Sequence, residues 1–360
     1  MRHIEIILPF SLPPDELASD LLREMQLPAL STLLARASAT AAGERGSAVS
    51  DASDSDGFAR CLPHEAWLAR RFGMNAALQA GGSPPMAPAL MRAMGLAPDP
   101  GWWFILQPVH LHIARDHLVL TDLRLLALDE DASRALFRAA QPSFEAAGLP
   151  LVYGSAATWF VRADCHQDLQ TATPDATCGH NIDIWMPQGV SARAWRKLQN
   201  EVQMDWHANV VNDTRAAAGK NPVNSLWLWG GGAALPAARP VRPAALFGFG
   251  DWFAAFGQFA AANTPQATAD LALSSPAAQR LILADDLIAP ALAGDWSHWL
   301  QQFHQIEERW LAPLLKALAA GKVDALSLVL SHGTRLEQWR TTRAGLRKFW
   351  AKPALTRLRA

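Results

Sequence analysis

The sequence predicts an α/β protein: a mainly parallel sheet with helices on both faces. Three observations carry that prediction. The last third of the chain alternates strand-like and helix-like runs, the pattern of β–α crossovers. Half of the 360 residues are hydrophobic, 18% are charged and the mean hydropathy is +0.02, a composition that buries a core and excludes a disordered chain. Large apolar residues, most of them aromatic, recur at three- and four-residue steps (Trp296, Trp299, Phe303, Ile306, Trp310, Leu314, and again Trp252, Phe256, Phe259), as on helix faces turned to a core. At about 150 residues per domain, the length gives two or three units or one large domain with insertions.

The elements follow in order. Residues 4–8 predict a short strand. Helices are expected near 15–25 and 28–37, the second opening on Pro28 and carrying Leu30, Leu33 and Leu34 on one face. The Ala/Ser/Gly/Asp-rich stretch 38–58 has almost no large apolar side chain and predicts a mobile loop. A helix follows at 63–72, then a Gly/Pro/Met-rich connector at 81–101. Residues 103–113 and 117–121 predict two strands, 130–147 a helix, and 150–162 two short strands. The stretch 164–181 reads as a polar loop, 191–218 as helical, and 223–229 as a strand ending in three glycines. A Pro-rich connector spans 236–243. The closing alternation is strand 244–248, helix 251–262, strand 280–284, helix 295–319 and strand 324–330.

Charge and cysteine usage bound the function. Lys+Arg total 32 and Asp+Glu 33, a net charge of −1, so no general excess of cations exists to displace counterions from nucleic acid. The first ten residues lack the apolar stretch of a secretory signal, and no run of about 18 apolar residues occurs. Three widely spaced cysteines, Cys61, Cys165 and Cys178, form no disulfide framework and fit a reducing compartment. The expectation is a cytoplasmic protein with no membrane association.

The densest run is 205–232, which places Asn209, Asn212, Arg215 and Lys220 near one another before a strand with Trp227 and Trp229 on one face. Arg, Lys and amide side chains in this density suit a phosphate or carboxylate. The same pattern also fits a capped helix leading into a packed strand, since the glycines lack the trailing Lys-Ser/Thr of a phosphate-binding loop. The run resembles the archaeal-type cofactor-independent phosphoglycerate mutases of the alkaline-phosphatase superfamily, in a divergent proteobacterial, mutase-like or regulatory branch. Their pattern His-Pro-x-Asn…Arg…Gly-Lys-x-x-Ala-Asn…Trp-Leu-Trp-Gly-x-Gly is matched by Asn212, Arg215, Gly219, Lys220, Asn224, Trp227, Leu228, Trp229, Gly230 and Gly232. Asn209 stands in place of the family's His.

The resemblance implies an alkaline-phosphatase-like core assembled from 1–101 and 241–360, with a smaller α/β domain inserted at 102–240. It implies a substrate role for Asn212, Arg215, Lys220 and Asn224. It also implies two divalent cations, Mn²⁺ or Mg²⁺, held at the carboxyl ends of parallel strands. The ligand positions diverge. Strand one ends Leu8-Pro9-Phe10 with no carboxylate, Asp285-Asp286 lacks the following Gly-His, and Ser331 precedes His332 where the family has Asp. A two-metal site needs on the order of six or seven hard ligands; Asp285, Asp286 and His332 are the residual candidates. A nucleophile would fall among Ser47, Ser50, Ser53 and Ser55. The expected function is therefore a catalytically degenerate mutase-like protein without cofactor, binding a phosphorylated small molecule or a protein partner in a regulatory role. The alternative is a working metal-dependent mutase or phosphohydrolase that draws ligands from Asp51, Asp54, Asp56 or His64, and a third reading is a partner-binding module alone.

Three further clusters fit ordinary structural roles as well as chemical ones. Cys165-His166 with Cys178 and His180 lacks the close Cys-Cys spacing of structural zinc. His110 and His112 share a strand face and would supply half a metal site. Residues 335–359 combine Arg and Lys with Trp339, Phe349 and Trp350, as single-stranded nucleic-acid binders do, but on a neutral chain they read as a solvated helix face.

Overall fold

The computed structural model describes residues 2–39, 59–74, 78, 81–234 and 244–359. The expected loop 38–58, beyond Ala39, and the whole of the connector 236–243 lie outside the described residues. The described strands are β1 (His3–Leu8), β2 (Ser38–Ala39), β3 (Trp102–Val109), β4 (Leu111–Ala114), β5 (His117–Leu120), β6 (Leu151–Ser155), β7 (Thr158–Arg162), β8 (Ser225–Ala233), β9 (Ala244–Phe247), β10 (Ala262–Thr264), β11 (Gln279–Leu283), β12 (Ala325–Ser331) and β13 (Leu336–Thr342).

The chain forms two compact units, Met1–Asp51 with Ala238–Ala360, and Ala52–Ala237. The division differs from the expected 101/102 boundary, because hydrogen bonds tie 59–101 to the second unit. Arg60 Nη1 donates to the Trp185 carbonyl at 3.3 Å, Ser83 N to the Thr171 carbonyl at 2.8 Å, and Gly230 N to Ser83 Oγ at 2.9 Å.

The first unit carries a seven-stranded sheet in the order β10-β9-β11-β1-β12-β13-β2. The pairs from β10 through β12 are parallel, and β13 and β2 are antiparallel. β1 is central because its apolar residues are buried on both faces. Ile4, Ile6 and Leu8 join one core with Leu326, Leu328, Leu330, Trp299, Phe303 and Ile306, while Ile7 of opposite parity is equally buried. The aromatic stripe of 296–314 is thus core, as its spacing implies.

Two elements depart from expectation for local reasons. The helix expected over 295–319 is broken by a π turn at Glu307–Leu311. Pro313 cannot donate an N–H and its ring crowds the carbonyl four residues back, which favours a wide turn just before it. Buried Glu307 then caps another helix, Pro28–Arg36, accepting from the Ala29 and Leu30 amides. Residues 251–262 form a 3₁₀ helix, Asp251–Phe259, followed by β10; the three-residue period buries Phe253 and Phe256 and leaves Trp252 and Phe259 half-buried. The basic tail is corrected as well: residues 336–342 are β13, paired with β12, and the Arg357 guanidinium lies 4.8 Å from the Trp339 ring centroid.

The second unit carries an antiparallel sheet, β6-β7-β3-β8, and a separate hairpin, β4-β5. The helices Glu130–Ala146 and Ala192–His207 cover one face of the sheet, bringing Leu136, Phe144, Trp195 and Trp206 against Phe104, Leu106, Trp159 and Leu228. Asp129 Oδ1 accepts from Ala132 N at 2.8 Å and caps the first helix. Among the described residues no helix is long and apolar enough to cross a membrane.

Candidate functional site

The run 205–232 folds as helix Val210–Ala217, a turn, then β8. Asn209, in place of the family's His, is the helix N-cap, its Oδ1 accepting from Val211 N at 3.0 Å. Asn212 is buried. Its Nδ2 donates to the carbonyls of Trp206 at 2.8 Å and Val223 at 2.9 Å, and its Oδ1 accepts from Val223 N at 2.8 Å. Arg215 is buried too, with Nε donating to the Asn221 carbonyl at 2.9 Å and Nη2 to that of Leu126. Burial pulls its guanidinium below its ordinary value, against the opposing attraction of Asp129. These two expected substrate residues use those side-chain atoms on backbone. Lys220 is exposed. Asn224 is half-buried, its Oδ1 accepting from Leu111 N at 2.7 Å and its Nδ2 donating to the Leu111 carbonyl at 2.9 Å.

The motif tryptophans and glycines continue one strand through Ala233 rather than ending it. Trp227 Nε1 donates to the Ala172 carbonyl at 2.9 Å and Trp229 Nε1 to Gln107 Oε1 at 2.8 Å. Gly230 has φ +70°, and a Cβ there would lie 2.9 Å from Ile105 Cδ1. A Cβ on Gly231 would lie 2.3 Å from Phe104 Cε1, and one on Gly232 would lie 2.9 Å from Pro85 Cβ. Close packing on both faces of β8 explains why side chains are missing there.

In the first unit, the carboxyl ends of β11, β1 and β12 lie side by side, where metal ligands were expected. The chain closes this edge with its own bonds. Phe10 takes φ +54°, its N–H donates to Ser331 Oγ at 3.3 Å, and its carbonyl accepts from Trp299 Nε1 at 2.9 Å. Ser11 Oγ donates to the Leu8 carbonyl at 2.6 Å, and Leu12 N to the Ser331 carbonyl at 3.0 Å. Asp286 pairs with Arg309 at 3.4 Å, and Asp15 with Arg335 at 3.3 Å. His332 is half-buried; burial and then Arg335 lower its pKa, opposed by Asp15 and Glu16. Among the described residues no three His, Cys, Asp or Glu side chains come together so as to hold a metal ion. Among the described residues Asp285, Asp286 and His332 therefore do not form a shared centre with one another or with a further carboxylate, and this described donor set does not fit two divalent cations. Asp51, Asp54, Asp56 and Ser47, Ser50, Ser53 and Ser55 lie outside the described residues.

The second unit holds a polar centre, buried at Glu65, His64, Asp122 and Asp175 and exposed at Arg124, of which sequence alone singled out only His64. Arg124 Nη1 and Nη2 donate to Asp175 Oδ1 at 2.8 and 2.9 Å, and Nη1 to Asp122 Oδ1 at 3.0 Å. Glu65 is fully buried, with Oε2 accepting from Leu62 N and Thr173 Oγ1, each at 2.7 Å. Its Oε1 has no hydrogen-bond partner among the described residues. Burial, then repulsion from Asp175, raises its pKa to about 8. Burial and then Arg124 lower that of His64 to about 3. The Cys178 thiol is pushed up to about 12 and that of Cys61 also far upward, first by burial. The usable signal was Thr171, Thr173, Asp175 and Thr177 at alternate positions of a supposed loop, all of them buried.

The other clusters have structural partners. Cys165 Sγ sits 3.1 Å from His166 Nδ1, while His180 stacks on Trp185. His110 Nδ1 lies 2.9 Å from the Pro222 carbonyl, and His112 is exposed.

No family model and no curated protein matches the chain. Two solved structures are similar to it along most of their length. The PH0037 protein from Pyrococcus horikoshii is 13% identical, with 94% of this chain and 86% of that chain covered and a TM-score of 0.50. The cofactor-independent phosphoglycerate mutase from Thermoplasma acidophilum DSM 1728 is 15% identical, with 95% and 90% covered and a TM-score of 0.45. Likeness at these identities is likeness of fold. The architecture implied by the motif resemblance, a mainly parallel α/β sheet interrupted by an inserted α/β unit, is the one this chain adopts.

Proposed function

We propose that the chain is a mutase-like protein adapted to binding, acting in the cytoplasm in a regulatory role through a phosphorylated small molecule or a protein partner and not as a mutase. The observation that supports it is the Phe10–Ser331 bond at 3.3 Å. A serine stands where the family places a metal-binding Asp, and its hydroxyl holds the end of strand one, where the other ligand would lie. Phosphoryl transfer between two metals depends on charge neutralisation and positioning, so a donor set this reduced does not support it. Lys220, exposed beside the motif, remains the candidate for a phosphate group, whereas Asn212 and Arg215 serve the backbone.

The test is direct. Purified full-length protein, with Mn²⁺ or Mg²⁺ added, is assayed for interconversion of 3- and 2-phosphoglycerate. The expected result is no turnover above the uncatalysed background and no rise in melting temperature with either metal. Turnover on the order of 1 s⁻¹ or faster overturns the reading and favours an enzyme with ligands from 51–56.

A further inference from the structure

The hairpin β4-β5 forms one wall of an open groove of about 650 Å³ in the second unit. Leu111, Ile113 and Leu118 line it from the hairpin, Met204 and Gln203 from the helix Ala192–His207, and Asn224 from the chain just before β8. Ile113 from the hairpin and Met204 from the helix are 71% and 67% exposed, high for large apolar side chains lining one groove. Its lining holds no Asp, Glu, Lys or Arg, and His207 is its one titratable side chain among the described residues.

The hairpin also leaves a backbone edge open. Thr121 N donates to the His110 carbonyl at 3.1 Å, so the hydrogen-bonded pairs of the ladder are His110/Thr121, His112/Val119 and Ala114/His117. Leu111 and Ile113 therefore direct their N–H and C=O away from β5. Those of Leu111 are both taken by the Asn224 carboxamide, which bonds them as the peptide group of a neighbouring strand would. Those of Ile113 have no partner among the described residues.

We infer that this groove takes an extended, uncharged, apolar peptide segment of a protein partner, added as a short strand against Ile113. The occupied half of the edge shows what fits the open half: an amide that donates one bond and accepts one. The neutral apolar wall suits alternate apolar side chains of such a strand and penalises charged ones. Asn224 fixes the register, because an incoming strand is blocked at Leu111 and must begin its pairing at Ile113. The inference rests on the reading of the chain as a binding protein and names the partner chemistry.

The experiment uses the full chain and a library of N-acetylated, C-amidated hexapeptides, read by fluorescence anisotropy and by amide exchange at Ile113. Expected are enrichment of uncharged peptides with apolar residues at alternate positions, protection of the Ile113 N–H, and loss of affinity by about tenfold or more in Ile113→Lys and in Met204→Lys. Both positions are solvent-exposed, and unchanged melting curves confirm that the variants fold. The inference is overturned by the absence of any peptide tighter than about 1 mM, by binding without protection at Ile113, or by binding unchanged in both variants. A concentration-dependent dimer abolished by Ile113→Lys, with no peptide bound, overturns it in favour of a second copy. Phosphoglycerate turnover in wild type and Ile113→Lys alike refutes the regulatory reading alone, so the two failures are distinguishable.

Discussion

Replacing Asn212 by Ala separates a structural from a ligand-binding role for the centre of the motif. The side chain makes three buried hydrogen bonds, two donated to the carbonyls of Trp206 and Val223 and one accepted from Val223 N. Alanine removes all three and leaves the Val223 amide and two carbonyls without those partners. At about 1 kcal/mol per bond the loss is ~3 kcal/mol. A unit of this size shifts by roughly 2–4 °C per kcal/mol, so melting should fall by about 6–12 °C. Asn212→Asp should be at least as damaging, because a carboxylate would face two carbonyl oxygens. The assay is thermal unfolding by circular dichroism, with hydrogen exchange at the Val223 amide as the local probe. A fall of less than about 2 °C for Ala, with Val223 exchange unchanged, would refute the structural assignment. Loss of phosphometabolite binding at unchanged stability would return Asn212 to the substrate role.

The remaining predictions concern packing and titration. Gly231→Ala places a Cβ 2.3 Å from the Phe104 ring and should cost about 1–3 kcal/mol, whereas Gly250→Ala meets nothing within 4 Å and should stay within about 0.5 kcal/mol; equal melting temperatures contradict this. The folded Glu65 carboxyl titrates near 8, above its unfolded value, so the native state holds the extra proton. Its contribution is whole below the unfolded pKa and is lost as pH rises through about 8. The stability advantage of Glu65→Gln over wild type should therefore grow between these limits, by at most about 1.4 kcal/mol per pH unit; parallel stability–pH curves argue against a buried neutral acid. His64 has the opposite sign: its folded pKa is lowered to about 3, so its contribution is present above the unfolded value and is lost as pH falls toward 3. His64→Gln should flatten the acid limb of the same curves, and an unchanged limb contradicts the assignment.

Period and punctuation made much of the fold legible. Leu30, Leu33 and Leu34 behind Pro28 gave a helix of Pro28–Arg36, and the Trp296–Leu314 stripe gave a core face. Short strands in mixed contexts were less legible. β13 was hidden because Arg340 and Trp339 look like a solvated basic face, and its pairing with β12 depends on a neighbour rather than on its own residues. At the motif, residue types are legible in the sequence but their partners are not. An Asn that clamps two carbonyls and an Asn that binds a ligand have the same sequence signature, and only the Val223 and Leu111 bonds distinguish them. The pairing of exposed Arg124 with buried Asp175, beside buried Glu65, was not legible because these residues are 59 and 51 positions apart.

The placement of β1 has a consequence for the order in which the protein is made. β1 leaves the ribosome well before either of its neighbours, since β11 and β12 lie more than 270 residues downstream, and Glu307 caps a helix that begins at Pro28. The second unit, Ala52–Ala237, is contiguous and complete while those partners are still unsynthesised. Synthesis therefore favours folding the inserted unit first, with the N-terminal segment waiting for the last third of the chain. Protease digestion of ribosome-stalled chains reads this order: chains halted near residue 290 should already protect 59–234 while leaving 2–36 open to cleavage, and protection of both segments at that length would show a different order.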